Sequence, residues 1–283
     1  MEQRGKLLSS YQPCLLNFGL RDNGFRLAHL NRRAAALEIE TWTRLSMNLA
    51  IFDIDGTLTK TDHIDDVCFV QALADAHAIT GVSTDWAGYS HTTDSAITLD
   101  IFQEQFNRAP EEVELLKFKS HFVRLLEDYR VKDSTLFAEI PGAASMLKRL
   151  NQEPEWKVAI ASGGWRDSAI LKLKVADIEA NNFPAAFADD GYSREDILQS
   201  AISKAESLYR QNRFAGVVSI GDGLWDVRAA RNLEFPFLGI GVGDAERKLR
   251  RAGATHVIKD FADYEKLIRY LTEAKAPQPE TLS

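Results

Sequence analysis

At 283 residues, with 45% hydrophobic residues and a formal net charge of −7, the chain suits one large α/β domain carrying an insertion, or two small domains. The diffuse acidic balance argues against nonspecific nucleic-acid binding, which needs a basic patch. It leaves room for a phosphorylated ligand, because one metal ion and one local cation reverse the field inside a cleft. Cys14 and Cys68 are the two cysteines, too few for a disulfide framework or a structural zinc site, and a reducing cytosol is the expected location. No apolar run reaches the ~18 residues of a membrane span.

Residues 1–46 hold seven Lys/Arg and four Asp/Glu. They lack a continuous apolar stretch, which argues against a secretory signal. Met47 is followed at once by Asn48-Leu49-Ala50-Ile51-Phe52, which reads as a strand. The first 46 residues are therefore expected to be an extension: a disordered or weakly helical segment around Ala34–Ile39, a transit peptide, or an over-extended start ahead of Met47.

From residue 48 onward, short apolar runs bounded by turn residues predict strands at Leu49–Phe52, Val158–Ala161, Ala185–Ala188, Val217–Ile220, Phe237–Ile240 and Thr255–Ile258. Helical patterns lie between them at Ala143–Leu150, Asp167–Val175, Glu195–Tyr209, Trp225–Asn232 and Ala245–Ala252. Strands alternating with helices imply a parallel sheet covered on both faces, with ligands at the carboxyl ends of the strands.

Residues 60–139 break the alternation. They show three helical stretches, near Ile64–Ala78, Ile97–Asn107 and Glu112–Tyr129, and no strand. In the last, Val113, Leu116, Phe118, Phe122, Leu125 and Leu126 recur near helical spacing. This length suits a small helical domain inserted after the first strand, with Pro141-Gly142 marking the return to the core and Pro141 placed to start the next helix. Residues 274–283, holding two prolines, are expected to form a flexible tail.

Three clusters carry chemistry. Asp53-Ile54-Asp55-Gly56-Thr57-Leu58-Thr59 follows the first strand directly. Asp53 and Asp55 are two apart and point the same way in an extended stretch. Two adjacent carboxylates are costly unless a cation or proton holds them. Gly221-Asp222-Gly223-Leu224-Trp225-Asp226 follows another strand, and Asp222 and Asp226, four apart, can share one helix face. Ala161-Ser162-Gly163-Gly164 ends a third strand ahead of a helix, where a hydroxyl, backbone amides and a helix N-terminus form a phosphate cradle. Read as structure alone, the three are an Asx turn, an acidic helix start and a Ser cap.

The three clusters, in this order and each at a different strand end, resemble the haloacid dehalogenase superfamily over residues 48 to about 260. Its motifs match DxDGT at 53–57, Ser162 and GDGxxD at 221–226. The superfamily also carries a Lys or Arg between the last two. Lys204 is one candidate, but it lies ~15 Å along its helix. Arg194, at the helix start, is preferred.

The resemblance implies a Rossmann-like, doubly wound parallel sheet with an inserted helical cap at 60–139. It implies a phosphatase in which Asp53 attacks phosphorus to form an aspartyl-phosphate. Asp55 protonates the leaving oxygen and then activates water. It implies Mg²⁺ held through Asp53, Asp55 and Asp222, with Asp226 beside them. Ser162 and Gly163 would bind the phosphoryl group, and Arg194 or Lys204 would neutralise it. Asp55 argues against dehalogenation, since a halide needs no proton to leave. In the cap, Tyr89-Ser90-His91-Thr92-Thr93-Asp94 resembles in position the substrate loop of relatives of the phosphoglycolate phosphatase type, with Thr92 or His91 where a basic residue is usual. His91 and Asp94 are candidate substrate contacts, and His63 reads as a hinge residue. The expected partner is a small phosphorylated metabolite, with no nucleic acid and no membrane. A phosphomutase of the same fold and a non-catalytic binding module are the alternatives. Four intact motif residues disfavour the module.

Overall fold

The computed structural model describes residues 47–278; the extension expected at 1–46 and the last five residues of the expected tail lie outside the described residues. Six parallel strands form one sheet in the order β3-β2-β1-β4-β5-β6. They are β1 (Asn48–Phe52), β2 (Trp156–Ala161), β3 (Ala185–Ala186), β4 (Gly216–Gly221), β5 (Phe237–Ile240) and β6 (His256–Ile258). All six fall where the apolar runs place them. The third is shorter than its run, because only Ala185 and Ala186 pair with β2.

The chain steps from β1 outward to β3 and then returns to add β4 on the other side of β1. This reversal is a topological switch point, where a crevice opens beyond the strand ends. In register, Phe52 pairs with Ile160 of β2 and with Ile220 of β4. The residues that follow these three strands therefore emerge side by side.

Period-two alternation sends β1 side chains to opposite faces. Ala50 and Phe52 pack with helices α4 (Ala143–Leu150), α5 (Arg166–Val175) and α9 (Tyr264–Glu273). Leu49 and Ile51 pack with α6 (Arg194–Tyr209) and α7 (Leu224–Asn232) on the other side. Helix α8 (Asp244–Arg251) covers the β5–β6 edge through Leu249. The C-terminal helix α9 is not among the elements read from the sequence. Its Tyr264, Leu267 and Leu271 supply the apolar stripe.

Between β1 and β2 the described residues form α1 (Asp62–His77), α2 (Asp94–Phe106) and α3 (Glu112–Lys132), with short 3₁₀ turns. Phe69 makes edge-to-face contacts with Phe118 and Phe122 and stacks on Trp165 of the α/β core at 6.0 Å. Burying each such ring contributes roughly 1.5–3 kcal/mol, so the insert and the core share one apolar cluster. The helix read near Glu112–Tyr129 is present as α3, but its buried face is narrower than its apolar residues suggest. Phe118, Phe122 and Leu126 are buried, but Val113 and Leu116 are 67% and 64% exposed. One apolar row of the helix suffices to meet α1.

Two further expectations change. Pro141 precedes α4 without starting it. Gly142 is the cap, at φ +87, where a Cβ would lie 2.9 Å from the Phe261 backbone. The tail beyond Ala274 is tethered at its start, since the amide of Phe237 donates to the Lys275 carbonyl at 3.1 Å. Among the described residues, no helix is long and apolar enough to cross a membrane.

Candidate active site

At the switch point, strand ends deliver the site. The Asp53 amide donates to the Ile220 carbonyl at 2.9 Å and the Ser162 amide to Ala186 at 3.0 Å, so ladder bonds continue one residue past β1 and β2. The chain then turns. Gly56 adopts φ +74, and a Cβ there would lie 2.2 Å from the Asp222 carboxylate, so only glycine lets the two loops approach. Thr57 closes the approach by donating its hydroxyl to Asp222 Oδ1 at 3.0 Å.

Asp53, Asp222 and Asp226 each place a carboxylate oxygen within 4.8 Å of the others. Burial raises all three above the ordinary range; neighbouring carboxylates add to it at Asp53 and Asp222, Arg194 opposes it at Asp53 and Asp226, and Asp53 reaches about 7. Arg194, the first residue of α6 behind the Ser193 cap, answers this charge. Its Nη1 donates to Asp53 Oδ1 at 2.9 Å and lies 3.5 Å from Asp226 Oδ1. Burial weakens its charged form, but the facing carboxylates outweigh that and raise its pKa. Asp226 is already half engaged, accepting the Gly223 amide at 3.0 Å. Three converging carboxylates, Asp53 and Asp226 buried and Asp222 half-buried, with one guanidinium beside them fit a hard divalent cation, and among the described residues no His or Cys ligand joins them to favour zinc.

Asp55 is held at both oxygens. Thr61 donates its hydroxyl to Oδ1 at 2.6 Å, and Lys172 donates to Oδ2 at 2.7 Å. Lys172 is fully buried and donates equally to Asp65 of α1 at 2.7 Å. Desolvation opposes its charge, yet Asp55 and Asp65 outweigh this and raise its pKa. Sequence reasoning missed Lys172 and Asp65. One lysine among the charged residues of α5 carries no signal of burial, and its partners lie more than 100 residues away.

Ser162 is buried, and its Oγ accepts the Gly164 amide at 3.1 Å. Gly163 is wedged between elements: a Cβ would lie 2.7 Å from the Thr92 carbonyl and 2.9 Å from the Arg194 guanidinium. The Asp94 amide donates to Gly163 O at 2.8 Å, and Asp94 Oδ2 accepts the Trp165 amide at 2.8 Å. Thr93 and Ser95 donate to the carbonyls of Tyr192 and Ala188. The 92–95 loop is thereby latched onto the core. Asp94 lies in the first turn of α2, with Thr93 as the cap. Burial raises its pKa to about 7 against the pull of Lys172.

The structure does not bring every candidate together. Lys204 points away, its Nζ 2.8 Å from Asp190 and donating to the Ala185 carbonyl at 2.9 Å, because ten residues of helix carry it down the sheet. His91 packs edge-on against Tyr192 at 5.2 Å and does not line the cavity. His63 is exposed and outside it. The cavity holds about 450 Å³, the size of a small-ligand site. Asp53, Asp55, Asp94, Ser162, Gly163, Arg194 and Asp222 line it, together with residues of α1 and the 84–87 turn.

A family model for haloacid dehalogenase-like hydrolases matches residues 47–234. No curated protein matches the chain. Among solved structures, a hydrolase from Pseudomonas syringae aligns with a TM-score of 0.60 and 24% identity, covering 79% of this chain and 97% of that one. A phosphonoacetaldehyde hydrolase-like protein from Oleispira antarctica aligns at 0.57 and 16% identity over 81% and 96%. CbbY from Rhodobacter sphaeroides, solved with xylulose-(1,5)bisphosphate, aligns at 0.56 and 16% identity over 77% and 96%. At these identities the likeness is one of fold.

Proposed function

The chain belongs to the haloacid dehalogenase-like hydrolases, and we propose that it hydrolyses a small phosphate monoester, with Asp53 as covalent nucleophile and Mg²⁺ as cofactor. The observation that carries this reading is the convergence of Asp53, Asp222 and Asp226 beside Arg194, with Asp53, Asp222 and Arg194 lining the cavity.

Asp53, Asp222 and Asp226 would hold the ion, which when bound supplies positive charge against the phosphoryl oxygens. The remaining work falls to the chain. Asp53 attacks phosphorus as the ester P–O bond breaks, and Asp55 delivers a proton to the departing alkoxide oxygen. Water then attacks the phosphorus of the aspartyl-phosphate. Its proton returns to Asp55, and inorganic phosphate leaves as the Asp53 carboxylate re-forms. Ser162 and the Gly163 amide face the phosphoryl oxygens, and Arg194 balances their charge. Phosphoryl transfer needs chiefly such positioning and charge stabilisation. The latched 92–95 loop shields the site from bulk water and favours compact substrates.

Phosphate release from p-nitrophenyl phosphate and a panel of small esters, with Mg²⁺ and after exhaustive EDTA treatment, tests the proposal. Turnover requires the ion and falls at least ~10³-fold in Asp53→Asn. Full activity in EDTA, or near-normal turnover by that variant, overturns it.

A further inference from the structure

Part of the cavity wall comes from α1 and the 84–87 turn, and its charge is one-sided. It presents Asp62, Asp65, Asp66 and Asp85 and no lysine or arginine. The cationic residues among the lining residues, Arg194 and Lys248, both belong to the α/β core. Asp65 is neutralised by Lys172. Asp66 accepts the Trp86 indole N–H at 2.7 Å, and burial raises its pKa. Asp62 and Asp85 are exposed toward solvent.

Two aromatic rings stand among these carboxylates. Phe69 and Trp86 line the same cavity, edge to face at 5.6 Å. An indole whose N–H donates to a carboxylate is enriched in π density, which strengthens its attraction for a cation. The wall carboxylates are not a second chelating cluster. Among the described residues, the group of three or more carboxylates that converges for a metal is Asp53, Asp222 and Asp226. A diffuse acidic rim with an aromatic face suits an organic cation better than a chelated ion.

We infer that the preferred substrate is a phosphate monoester whose leaving group carries an ammonium, primary or quaternary, seated against Trp86, Asp62, Asp66 and Asp85. This rests on the phosphatase reading and names the substrate class of the same site. The reaction is hydrolysis of the P–O ester bond, with water as co-reactant, giving inorganic phosphate and the amino alcohol. A carboxylate or second phosphate on the leaving group would instead face like charge.

The test compares O-phosphoethanolamine, propyl phosphate and phosphoglycolate, similar in size and differing in leaving-group charge, with p-nitrophenyl phosphate as the generic ester. The order of kcat/KM is expected to be cationic, neutral, anionic, with a span of at least about 100-fold at low salt. The span narrows in Asp62→Asn/Asp85→Asn and in Trp86→Leu. Equal rates, or a preference for phosphoglycolate, overturn the inference and leave the phosphatase reading standing. A span that neither variant changes overturns the assignment to this wall. Turnover of none of the four esters overturns the phosphatase reading and the inference with it.

Discussion

The guanidinium of Arg194 joins the 92–95 loop to Asp53: Nε donates to the Thr92 carbonyl at 3.0 Å and Nη1 to Asp53 Oδ1 at 2.9 Å. One planar fork thus reads both the docked loop and the Asp53 carboxylate. Lysine offers a point charge and no fork. Arg194→Lys is expected to lower kcat/KM at least ~100-fold. Steady-state kinetics on p-nitrophenyl phosphate checks this. Activity within a few-fold of the parent would show that charge alone suffices.

Lys204 provides the contrast. Its bonds to Asp190 and the Ala185 carbonyl lie outside the cavity. Lys204→Met is expected to leave kcat/KM within about twofold while lowering Tm slightly, as for a partly exposed ion pair. A collapse of activity in a folded Lys204→Met protein would return this residue to the site.

Lys172 is a buried cation between two carboxylates. Removing it leaves them uncompensated, a loss of about 3–5 kcal/mol in comparable buried pairs. Lys172→Met is expected to lose stability on that scale, and adding Asp65→Asn to restore part of it. Urea unfolding of the parent and both variants measures this. Additive losses in the double variant would show that the contacts are not coupled.

Gly163 has no room for a methyl group between Thr92 and Arg194. Gly163→Ala is expected to displace the loop and the guanidinium together, lowering kcat by more than about tenfold with a modest change in Tm. An unchanged kcat would mean that the loop yields freely.

Asp94 sets a pH dependence. Its folded pKa, raised to about 7 chiefly by burial, lies above the ordinary 3.8. Between these values the folded state keeps a proton that the unfolded state releases. Stability from this group is therefore full below about pH 4 and lost as pH rises through about 7. Asp53 adds a slope of the same sign. Asp94→Asn keeps an acceptor for the Trp165 amide and removes one contribution. Relative to the parent it is expected to gain Tm between pH 4 and pH 8, in EDTA throughout. A constant Tm difference across that range would show that Asp94 is ionised at both ends.

Much of this was local and hence legible in the sequence. An apolar run ending in Asp53, Ser162 or Asp222 marks a buried strand whose next residue meets the crevice, and parallel pairing in register then aligns the three. Spacing likewise marked the helical insert, and helix length set Arg194 apart from Lys204. Only the tertiary structure decided the rest. Lys172 reaches Asp55 across 117 positions and Asp65 across 107. Asp94, read as a substrate contact, spends one oxygen latching the loop to Trp165. Val113 and Leu116, apolar and in phase, face solvent because α3 meets α1 along a narrower stripe. The acidic wall assembles from residues 62–66 and 85, which are adjacent only once α1 and the 84–87 turn have packed. Strand ends and caps depend on neighbours in the chain and can be read from them. The partner of a buried charge depends on which distant element folds over it, and no local pattern carries that information.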